Sequence, residues 1–296
     1  MLDEKKLLES LEGLEGPELE RLKDFLAGHK LKSLEFEGRE IDYLICGEGP
    51  QTLLSFAGGW GPPQLLYETI LSFEETSRVV VVDISPFREP DIMCRGINAV
   101  LKTEGLDQVI LLGQSFTGII AQLYFRRNFR RVNGMVLTCT PAPLKEKCKK
   151  WALNLMRILP VGLFKPIVKK KMSGYLEFEK EVSDKVKNRL MFRTELMKNI
   201  LGQYFNRRVM LSAVELAFAF SWEGAYQPDE FHDWQGKILI ITCEDDPLHA
   251  DAEVLISSLP SAEMFKLPTG FKHVAPLVKK EDVDARIQNF IGGLRH

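Results

Sequence analysis

The sequence of 296 residues lacks long apolar runs, an excess of charge of either sign and paired cysteines. None of its apolar stretches approaches the roughly 18 uncharged residues of a transmembrane helix. The formal net charge of −2 excludes a uniformly basic nucleic-acid-binding chain and an acidic disordered one. The N-terminal residues carry charges every few positions and lack an apolar stretch, so we expect no signal peptide and no transmembrane segment.

Cysteines and cofactor motifs are also scarce. The chain contains no CxxC pair, no HExxH motif, no GxxxxGK[ST] phosphate loop and no GxGxxG motif after its first parallel strand. We therefore expect neither a metal nor an organic cofactor, and no nucleic-acid partner. The odd number of cysteines favours reduced, buried thiols and hence a cytoplasmic protein. They are Cys46, Cys94, Cys139, Cys148 and Cys243.

Near-continuous apolar runs rich in Val, Ile and Leu predict strands that are buried on both faces, as in a parallel sheet. These runs lie at residues 52–56, 78–83, 108–113, 134–139 and 237–243, with a shorter one at 263–267. Two β-like runs at 34–38 and 41–46 suit an antiparallel pair. Helix-like segments alternate with the runs, which predicts an α/β fold with right-handed crossovers. They lie at about 63–74, 90–104, 116–127, 250–258 and 281–291.

Two segments fall outside this alternation. Residues 3–28 carry a leucine stripe interrupted by glycine and proline, which predicts two short amphipathic helices, the second ending at Gly28. About 95 residues separate the run ending at Cys139 from the run starting at Lys237, and they have the pattern of several helices. We therefore predict an N-terminal helical extension (1–30), an α/β core (31–140 and 236–296) and a helical cap insertion (141–235).

The strongest chemical signal is residues 113–118 (GQSFTG), which directly follow an apolar strand and directly precede a helical run. A strand, a tight turn with serine at its apex and then a helix form the context of a nucleophile elbow. The turn would expose the Ser115 hydroxyl to a base that removes its proton. The Phe116 amide at the helix N-terminus would then donate to an oxyanion. The competing interpretation is an ordinary glycine-rich βα turn.

A second glycine-rich segment, residues 56–61 (FAGGWG), follows the strand at 52–56. An acyl-transfer enzyme needs two donors aimed at the oxyanion, and glycine lets the backbone approach a ligand closely. Gly59 is therefore the candidate for the donor that complements Phe116. The alternative is a glycine-rich turn that simply leads into the next helix.

Candidate acid and base residues follow the last two predicted strands. In residues 244–247 (EDDP), Asp246 is the preferred carboxylate to orient a histidine, while Asp245 remains open and a helix cap is the competing role. His273 alone among the five histidines lies on a loop between the last strand and the last helix. The chain order serine, aspartate, histidine, each after a core strand, favours catalysis by Ser115, Asp246 and His273.

These motifs resemble those of the α/β-hydrolase family over roughly residues 30–140 and 236–292. The resemblance implies Ser115 as nucleophile, His273 as general base and then acid, and Asp246 as the residue that orients it. Gly59 and Phe116 would form the oxyanion hole. It also implies a mostly parallel eight-stranded sheet with antiparallel first strands, flanked by helices, and a helical cap inserted between strands 6 and 7.

The expected function is that of a serine hydrolase acting on a carboxylic ester or thioester with an apolar acyl group. Three positions depart from the family pattern: Ala57 replaces the usual histidine of the oxyanion loop, Thr117 replaces the second glycine of the elbow, and residues 84–87 (ISPF) replace a GxGxS segment. Bulk at Thr117 can crowd the turn, although threonine is small and Gly118 follows it. The departures keep a non-catalytic adaptor open, and a triad alone does not exclude an acyltransferase.

The small net charge hides an uneven distribution. Residues 145–208 contain 17 Lys and Arg against 6 Asp and Glu, a charge of +11 over a remainder of −13. Residues 144–157 are basic and amphipathic, and residues 167–172 add a second basic patch. Either these patches form a solvated cap face, or they attract an anionic substrate, an acidic carrier or anionic lipids. Apolar cap residues would roof an acyl pocket or form the cap's own core. They are Trp151, Leu155, Leu163, Phe164, Phe218, Phe220 and Trp222.

Overall fold

One eight-stranded sheet organises the chain, in the spatial order β1-β2-β4-β3-β5-β6-β7-β8. The computed structural model describes residues 3–11, 13–14, 16–59, 61–143, 149–164, 166, 180–227 and 229–294. The strands are β1 (Lys32–Phe36), β2 (Arg39–Cys46), β3 (Thr52–Ala57), β4 (Arg78–Asp83), β5 (Val109–Gln114), β6 (Val132–Thr138), β7 (Lys237–Cys243) and β8 (Ala262–Leu267).

The first two strands run antiparallel, β1 to β2 and β2 to β4, and the remaining pairs are parallel. This arrangement confirms the predicted fold class of an α/β protein with a mostly parallel sheet. The apolar runs are continuous because both faces are covered: the neighbours Leu53 and Leu54 on β3 point to opposite faces, and each is fully buried.

Helices flank the sheet on both faces. In chain order they are α1 (Glu4–Ser10), α2 (Pro17–Gly28), α3 (Tyr67–Phe73), α4 (Pro90–Thr103), α5 (Phe116–Asn128), α6 (Lys150–Ile158), α7 (Asp184–Tyr204), α8 (Arg207–Glu223), α9 (His249–Ser258), α10 (Ala275–Val278) and α11 (Lys280–Gly292). Short 3-10 helices include Pro63–Leu66 before α3 and Lys272–Val274 before α10. One face packs against α3, α7 and α11, and the other against α4, α5, α8 and α9.

The N-terminal helices pack on the domain itself. Leu7, Leu11, Leu22 and Phe25 are buried in the same core as α3 and α7, and α1 and α2 both contact α7. Each such apolar side chain stabilises the fold by about 1.5–3 kcal/mol when it is fully buried. The leucine stripe of the extension is therefore satisfied within one chain.

A polar contact fixes the end of this extension. His29, directly after α2, places its Nε2 atom 2.7 Å from Glu74 Oε2, and its Nδ1 atom lies 2.9 Å from the Phe25 carbonyl oxygen. The His29 ring also stacks on Phe25, with 4.2 Å between ring centroids. The junction between the extension and β1 is thereby held against the end of α3.

Between the adjacent strands β6 and β7, the chain leaves the sheet and forms α6, α7 and α8 among the described residues. We call residues 141–235 the insertion. Side chains cap two of its helices: the Ser183 hydroxyl accepts a hydrogen bond from the Val186 amide, and Asn206 accepts from the amides of Arg208 and Val209. The predicted basic patch at 167–172 and the first part of the patch at 144–157 lie outside the described residues.

The four cysteines in the described part of the chain, Cys46, Cys94, Cys139 and Cys243, are free and buried. Cys148 lies outside the described residues. No helix in the ranges given above combines the length and the apolar character needed to cross a membrane.

Candidate active site

Ser115 occupies a strained turn between β5 and α5. Its backbone has φ 51° and ψ −119°, a conformation that side-chain-bearing residues rarely adopt and that costs about 1–3 kcal/mol. Three hydrogen bonds hold it: the Ser115 amide donates to the Thr138 carbonyl oxygen at 2.9 Å, and its own carbonyl accepts from Thr140 Oγ1 at 2.8 Å and the Gly118 amide at 3.1 Å. The turn is therefore anchored to Thr138 in strand β6 and to Thr140, which follows that strand.

Glycine makes this turn sterically feasible at two positions. A Cβ atom on Gly113 would lie 2.6 Å from the Gly118 Cα atom, and one on Gly118 would lie 2.2 Å from Thr140 Oγ1. Strand β5 and helix α5 thus approach each other more closely than any larger residue permits.

Thr117 does not crowd the turn. The Thr117 hydroxyl donates to the Gln114 carbonyl oxygen and accepts from the Gln114 amide, both at 2.9 Å. The side chain therefore closes the turn on itself rather than pressing into it, and Gly118 supplies the close approach to Thr140.

His273 connects the serine to a carboxylate. Its Nε2 atom lies 3.0 Å from Ser115 Oγ, and its Nδ1 atom lies 3.1 Å and 3.0 Å from the two carboxylate oxygens of Asp246. The three residues come from the loops after β5, β8 and β7, which meet at the carboxyl edge of the sheet. The structure thus brings together the three residues that the chain order predicted.

Asp246 is held in its ionised form. Burial of its side chain acts to raise the pKa, but hydrogen bonds from His273, from the Cys139 thiol and from the Leu248 amide outweigh burial, and the pKa is lowered from 3.8. An ionised Asp246 requires the proton on His273 Nδ1, which leaves Nε2 as the acceptor that faces the Ser115 hydroxyl.

Asp245, the alternative acid, has a different role. Its Oδ2 atom accepts hydrogen bonds from the amides of Gly270 at 2.6 Å and Lys272 at 3.2 Å. Both donors have positive φ, 98° at Gly270 and 51° at Lys272, so the carboxylate stabilises the sharp bend that leads into His273. Asp245 therefore fastens the histidine loop, and Asp246 contacts the histidine.

Gly59 lies against Phe116, which directly follows Ser115 in the chain. A Cβ atom on Gly59 would come within 2.5 Å of the Phe116 ring, so only glycine fits against it without displacement. The preceding Gly58, at φ 111°, donates from its amide to the Gly61 carbonyl oxygen at 2.8 Å and shapes the loop. Within the described residues, no hydrogen bond from the amide of Gly59 or of Phe116 is present.

A cavity of about 230 Å³ opens beside Ser115 and His273. Ser55, Leu112 and Val136 from β3, β5 and β6 contribute to its lining, together with residues of α3, α7 and α11. Apolar side chains dominate the lining. None of the seven apolar insertion residues proposed to roof an acyl pocket contributes to it; Met197 and Arg193 of α7 do so instead.

Four charged residues in this cavity were not identified from the sequence. Glu68 of α3 pairs with Arg193 of α7, with 2.5 Å between Oε2 and Nη1. Lys280 pairs with Asp284 on α11, and Ser72 Oγ donates to Asp284 Oδ2 at 2.8 Å. No short motif marks the first pair, because its partners are 125 positions apart in the sequence.

Asp83, at the end of β4, forms a second buried carboxylate network. It accepts hydrogen bonds from the Ser85 amide at 2.8 Å, the Ser85 hydroxyl at 2.9 Å and the Tyr204 hydroxyl at 2.7 Å. Arg208 also donates to Ser85 Oγ at 3.1 Å. Burial raises the pKa of Asp83 despite these hydrogen bonds. The residues 84–87 that replace the usual GxGxS segment are therefore tied to both α7 and α8.

Two groups of described residues have the donor atoms to hold a metal ion. One is Cys139, Asp246 and His273, whose ligand atoms lie within 4.8 Å of one another but already hydrogen-bond as described above. The other is His29, Cys46 and Glu74, in which His29 and Glu74 pair directly. The expectation that no metal is needed stays a prediction.

The comparisons with known proteins agree with this architecture. A family model described as the alpha/beta hydrolase fold matches residues 84–278. No curated protein matches the sequence. Among solved structures, a thermophilic esterase from Thermogutta terrifontis is similar with a TM-score of 0.66 and 15% identity, covering 89% of this chain and 98% of the other.

Two further solved structures show the same fold with different named activities. A bromoperoxidase from Bacillus anthracis has a TM-score of 0.67 and 14% identity, over 89% of this chain and 100% of its own. An N-acyl homoserine lactone degrading enzyme has a TM-score of 0.63 and 20% identity, over 88% of this chain and 100% of its own. At such identities, the likeness shows the fold and leaves the reaction to be argued from the site.

Proposed function

The chain belongs to the alpha/beta hydrolase fold family, and from this premise we propose that it is a serine hydrolase that cleaves a carboxylic ester or thioester through an acyl-enzyme. The observation that carries the proposal is the continuous chain of hydrogen-bonding distances from Ser115 Oγ to His273 Nε2 and from His273 Nδ1 to Asp246. A strained serine held by its main chain beside such a histidine has the geometry of an activated nucleophile.

In the first half of the reaction, Ser115 Oγ attacks the carbonyl carbon while its proton passes to His273 Nε2. The negative charge on the carbonyl oxygen is stabilised by the amides of Gly59 and Phe116, whose hydrogen-bonding capacity is unused in the described structure. Asp246 stabilises the imidazolium that forms. His273 then gives the proton to the departing alcohol or thiol, and the acyl group remains on Ser115.

In the second half, His273 accepts a proton from water, whose oxygen attacks the acyl carbon. The Ser115 oxygen leaves with the proton from His273, and a carboxylic acid is released. An acyltransferase would use another nucleophile in place of water at this step. We propose water as the acceptor at this step.

The apolar lining of the cavity supports an apolar acyl group as the substrate class. Leu112 and Val136 of the sheet and Met197 of α7 are among the lining residues. An acyl chain in contact with them gains about 0.8 kcal/mol per buried methylene group. Helix α7 supports a role of the insertion as a cap, because it contributes Met197 and Arg193 to the cavity wall.

The proposed partner surface is helix α6. Trp151, Leu155 and Ile158 lie on one face of this helix at i, i+4 and i+7, and their exposed fractions are 64%, 44% and 73%. The segment 145–208, which contains α6, carries a charge of +11. Exposed apolar side chains on a basic segment suit an anionic lipid surface, since apolar insertion and charge attraction act together; an acidic carrier is the alternative partner.

Vesicle sedimentation tests this surface. The wild-type protein is expected to bind vesicles of phosphatidylcholine with phosphatidylglycerol at low ionic strength and to release them as salt is added. Trp151→Ser with Ile158→Ser is expected to weaken binding, while Val254→Ser, at an exposed apolar position on α9, leaves it unchanged. Absence of binding at low ionic strength would eliminate the lipid partner.

Turnover of p-nitrophenyl esters tests the hydrolase proposal. The wild-type protein is expected to release nitrophenol from short acyl esters, and Ser115→Ala is expected to lose about 10⁶-fold in kcat. Ser257→Ala, which changes an exposed serine on α9, serves as the matched control and should retain full activity. An inactive wild type that still folds would favour a non-catalytic adaptor instead.

A further inference from the structure

Two residues in the lining of the cavity beside Ser115 each have a buried polar atom that lacks a hydrogen-bond partner in the described structure: Glu68 Oε1 and Arg193 Nε. Glu68 is only 4% exposed. Buried carboxylate oxygens and guanidinium nitrogens nearly always have a partner, since leaving either without one costs stability. Two such atoms in one cavity indicate a place where a ligand completes the hydrogen bonds.

The two residues already use part of their hydrogen-bonding capacity on each other. Glu68 Oε2 accepts from Arg193 Nη1, which joins α3 of the core to α7 of the insertion. The pair carries no net charge. The Lys280–Asp284 pair in the same cavity is also neutral, and its charged atoms contact each other and Ser72. The pair in the cavity wall therefore has one acceptor atom and one donor atom without a partner, and the charges of the two pairs balance.

We propose that the Glu68–Arg193 pair is a subsite for an uncharged group that both donates and accepts hydrogen bonds, carried on the acyl chain of the substrate; this rests on the proposed hydrolase function. A carboxamide fits, because its N–H donates to Glu68 Oε1 and its carbonyl oxygen accepts from Arg193 Nε. A hydroxyl has the same capacity. A carboxylate has no donor for Glu68 Oε1, and an ammonium group has no acceptor for Arg193 Nε. Each would leave one atom without a partner and add an unpaired charge to the cavity.

The test compares p-nitrophenyl esters whose acyl chains, in a series of increasing length, end in a methyl, carboxamide, carboxylate or ammonium group. At the best length, the carboxamide ester is expected to exceed the methyl ester in kcat/KM by at least about tenfold, the range of a hydrogen bond to a charged group. The carboxylate and ammonium esters should fall below the carboxamide ester. The measured quantity is the ratio of kcat/KM between two esters. This ratio does not depend on how fast the enzyme cleaves esters in general.

Two variants assign the effect to the pair. Glu68→Leu with Arg193→Met removes both charges together, so that neither is left buried alone, and it should abolish the preference for the carboxamide ester. Glu68→Gln keeps the shape of the side chain and should reduce the preference. Glu195→Gln, which disrupts a Glu–Lys pair on the same helix but outside the cavity lining, is the control that keeps it.

The outcomes separate this subsite from the hydrolase proposal. Equal kcat/KM for the methyl and carboxamide esters at every length would overturn the subsite while leaving the hydrolase intact, since water would then satisfy both atoms. If no ester is cleaved, calorimetric binding of a long-chain primary amide, compared with the matching alkane carboxylate, tests the subsite alone. Tighter binding of the amide, lost in the double variant, would support it; equal or weaker binding would overturn it.

Discussion

Two polar clusters line the same cavity and differ in how completely their hydrogen bonds are made. In the Ser115–His273–Asp246 cluster, the three side chains lie at hydrogen-bonding distance from one another in sequence. Main-chain groups of β6, β7 and the loops that follow them hold these residues in place. In the Glu68–Arg193 pair, one oxygen and one nitrogen remain open. The first cluster is organised before a substrate arrives, as chemistry requires, whereas the second is incomplete until something binds.

The clusters also differ in their supports. The residues of the first cluster follow three parallel strands. Strands β5 and β7 are paired on both sides, and β8 is the edge strand of the sheet. Those of the second lie on two helices, one of which belongs to the insertion. A change in the insertion can therefore alter the second cluster while the sheet keeps the first one fixed.

Among the residues that support Ser115, replacement of the buried acid should have the largest effect. Asp246→Asn keeps the shape of the side chain but removes the charge that fixes the histidine tautomer, so we expect a loss of about 10⁴-fold in kcat. Asp245→Asn weakens only the support of the Gly270 and Lys272 amides and should lose far less. Steady-state kinetics on one ester measures both. Equal losses would show that the two acids share one role.

Displacement of the oxyanion donors should have the next largest effect. Gly59→Ala places a Cβ atom against the Phe116 ring and must shift the loop or the ring. We expect a loss of about 10²–10³-fold in kcat, the range for loss of one donor. Gly162→Ala, at an open position in the insertion, is the control. Full activity of Gly59→Ala would remove the Gly59 amide from the mechanism.

Stability measurements should separate the two clusters. Glu68→Leu alone leaves Arg193 without its carboxylate and should lower the free energy of unfolding by about 1–3 kcal/mol. Glu68→Leu with Arg193→Met should recover most of that loss, because no charge is left without a partner. Denaturant unfolding measures both variants. If the double variant is no more stable than the single one, the pair is not the reason for the loss.

The smallest effects concern pH. The lowered pKa of Asp246 gives stability above pH 3.8, and this stability is lost as pH falls through the folded-state pKa. The raised pKa of Asp83 acts in the opposite direction, so its ionisation costs stability as pH rises above 3.8. On acidification, the free energy of unfolding of the wild type should therefore fall relative to that of Asp246→Asn. It should rise relative to that of Asp83→Asn. Unfolding curves across this range give both signs, and reversed signs would contradict the shifts.

Much of the fold was predictable because the sequence pattern is local. Strands buried on both faces appear as continuous apolar runs, and the runs at 52–56 and 237–243 became β3 and β7. The helix predicted at 116–127 is observed as α5, Phe116–Asn128. Even the short run at 263–267 forms β8. The side on which the N-terminal leucine stripe packs depends on distant residues of α7, and no local pattern contains it.

The part of the site that depends on chain order was predictable. Parallel strands end at one edge, so residues after β5, β7 and β8 had to lie near one another. The choice between Asp245 and Asp246 depends on the turn after β7, where adjacent side chains diverge, and the sequence left it open. Glu68 and Arg193 could not be foreseen, because their pairing depends on how α7 of the insertion lies over α3.

The most direct measurement is labelling with a fluorophosphonate, which reacts with an activated serine hydroxyl, followed by mass spectrometry of the peptides. The wild-type protein should carry one label on Ser115, and labelling should be lost in Ser115→Ala and slowed strongly in His273→Ala. Folded wild-type protein that takes no label, or takes it on another residue with Ser115→Ala labelled equally, would contradict a nucleophile at this turn.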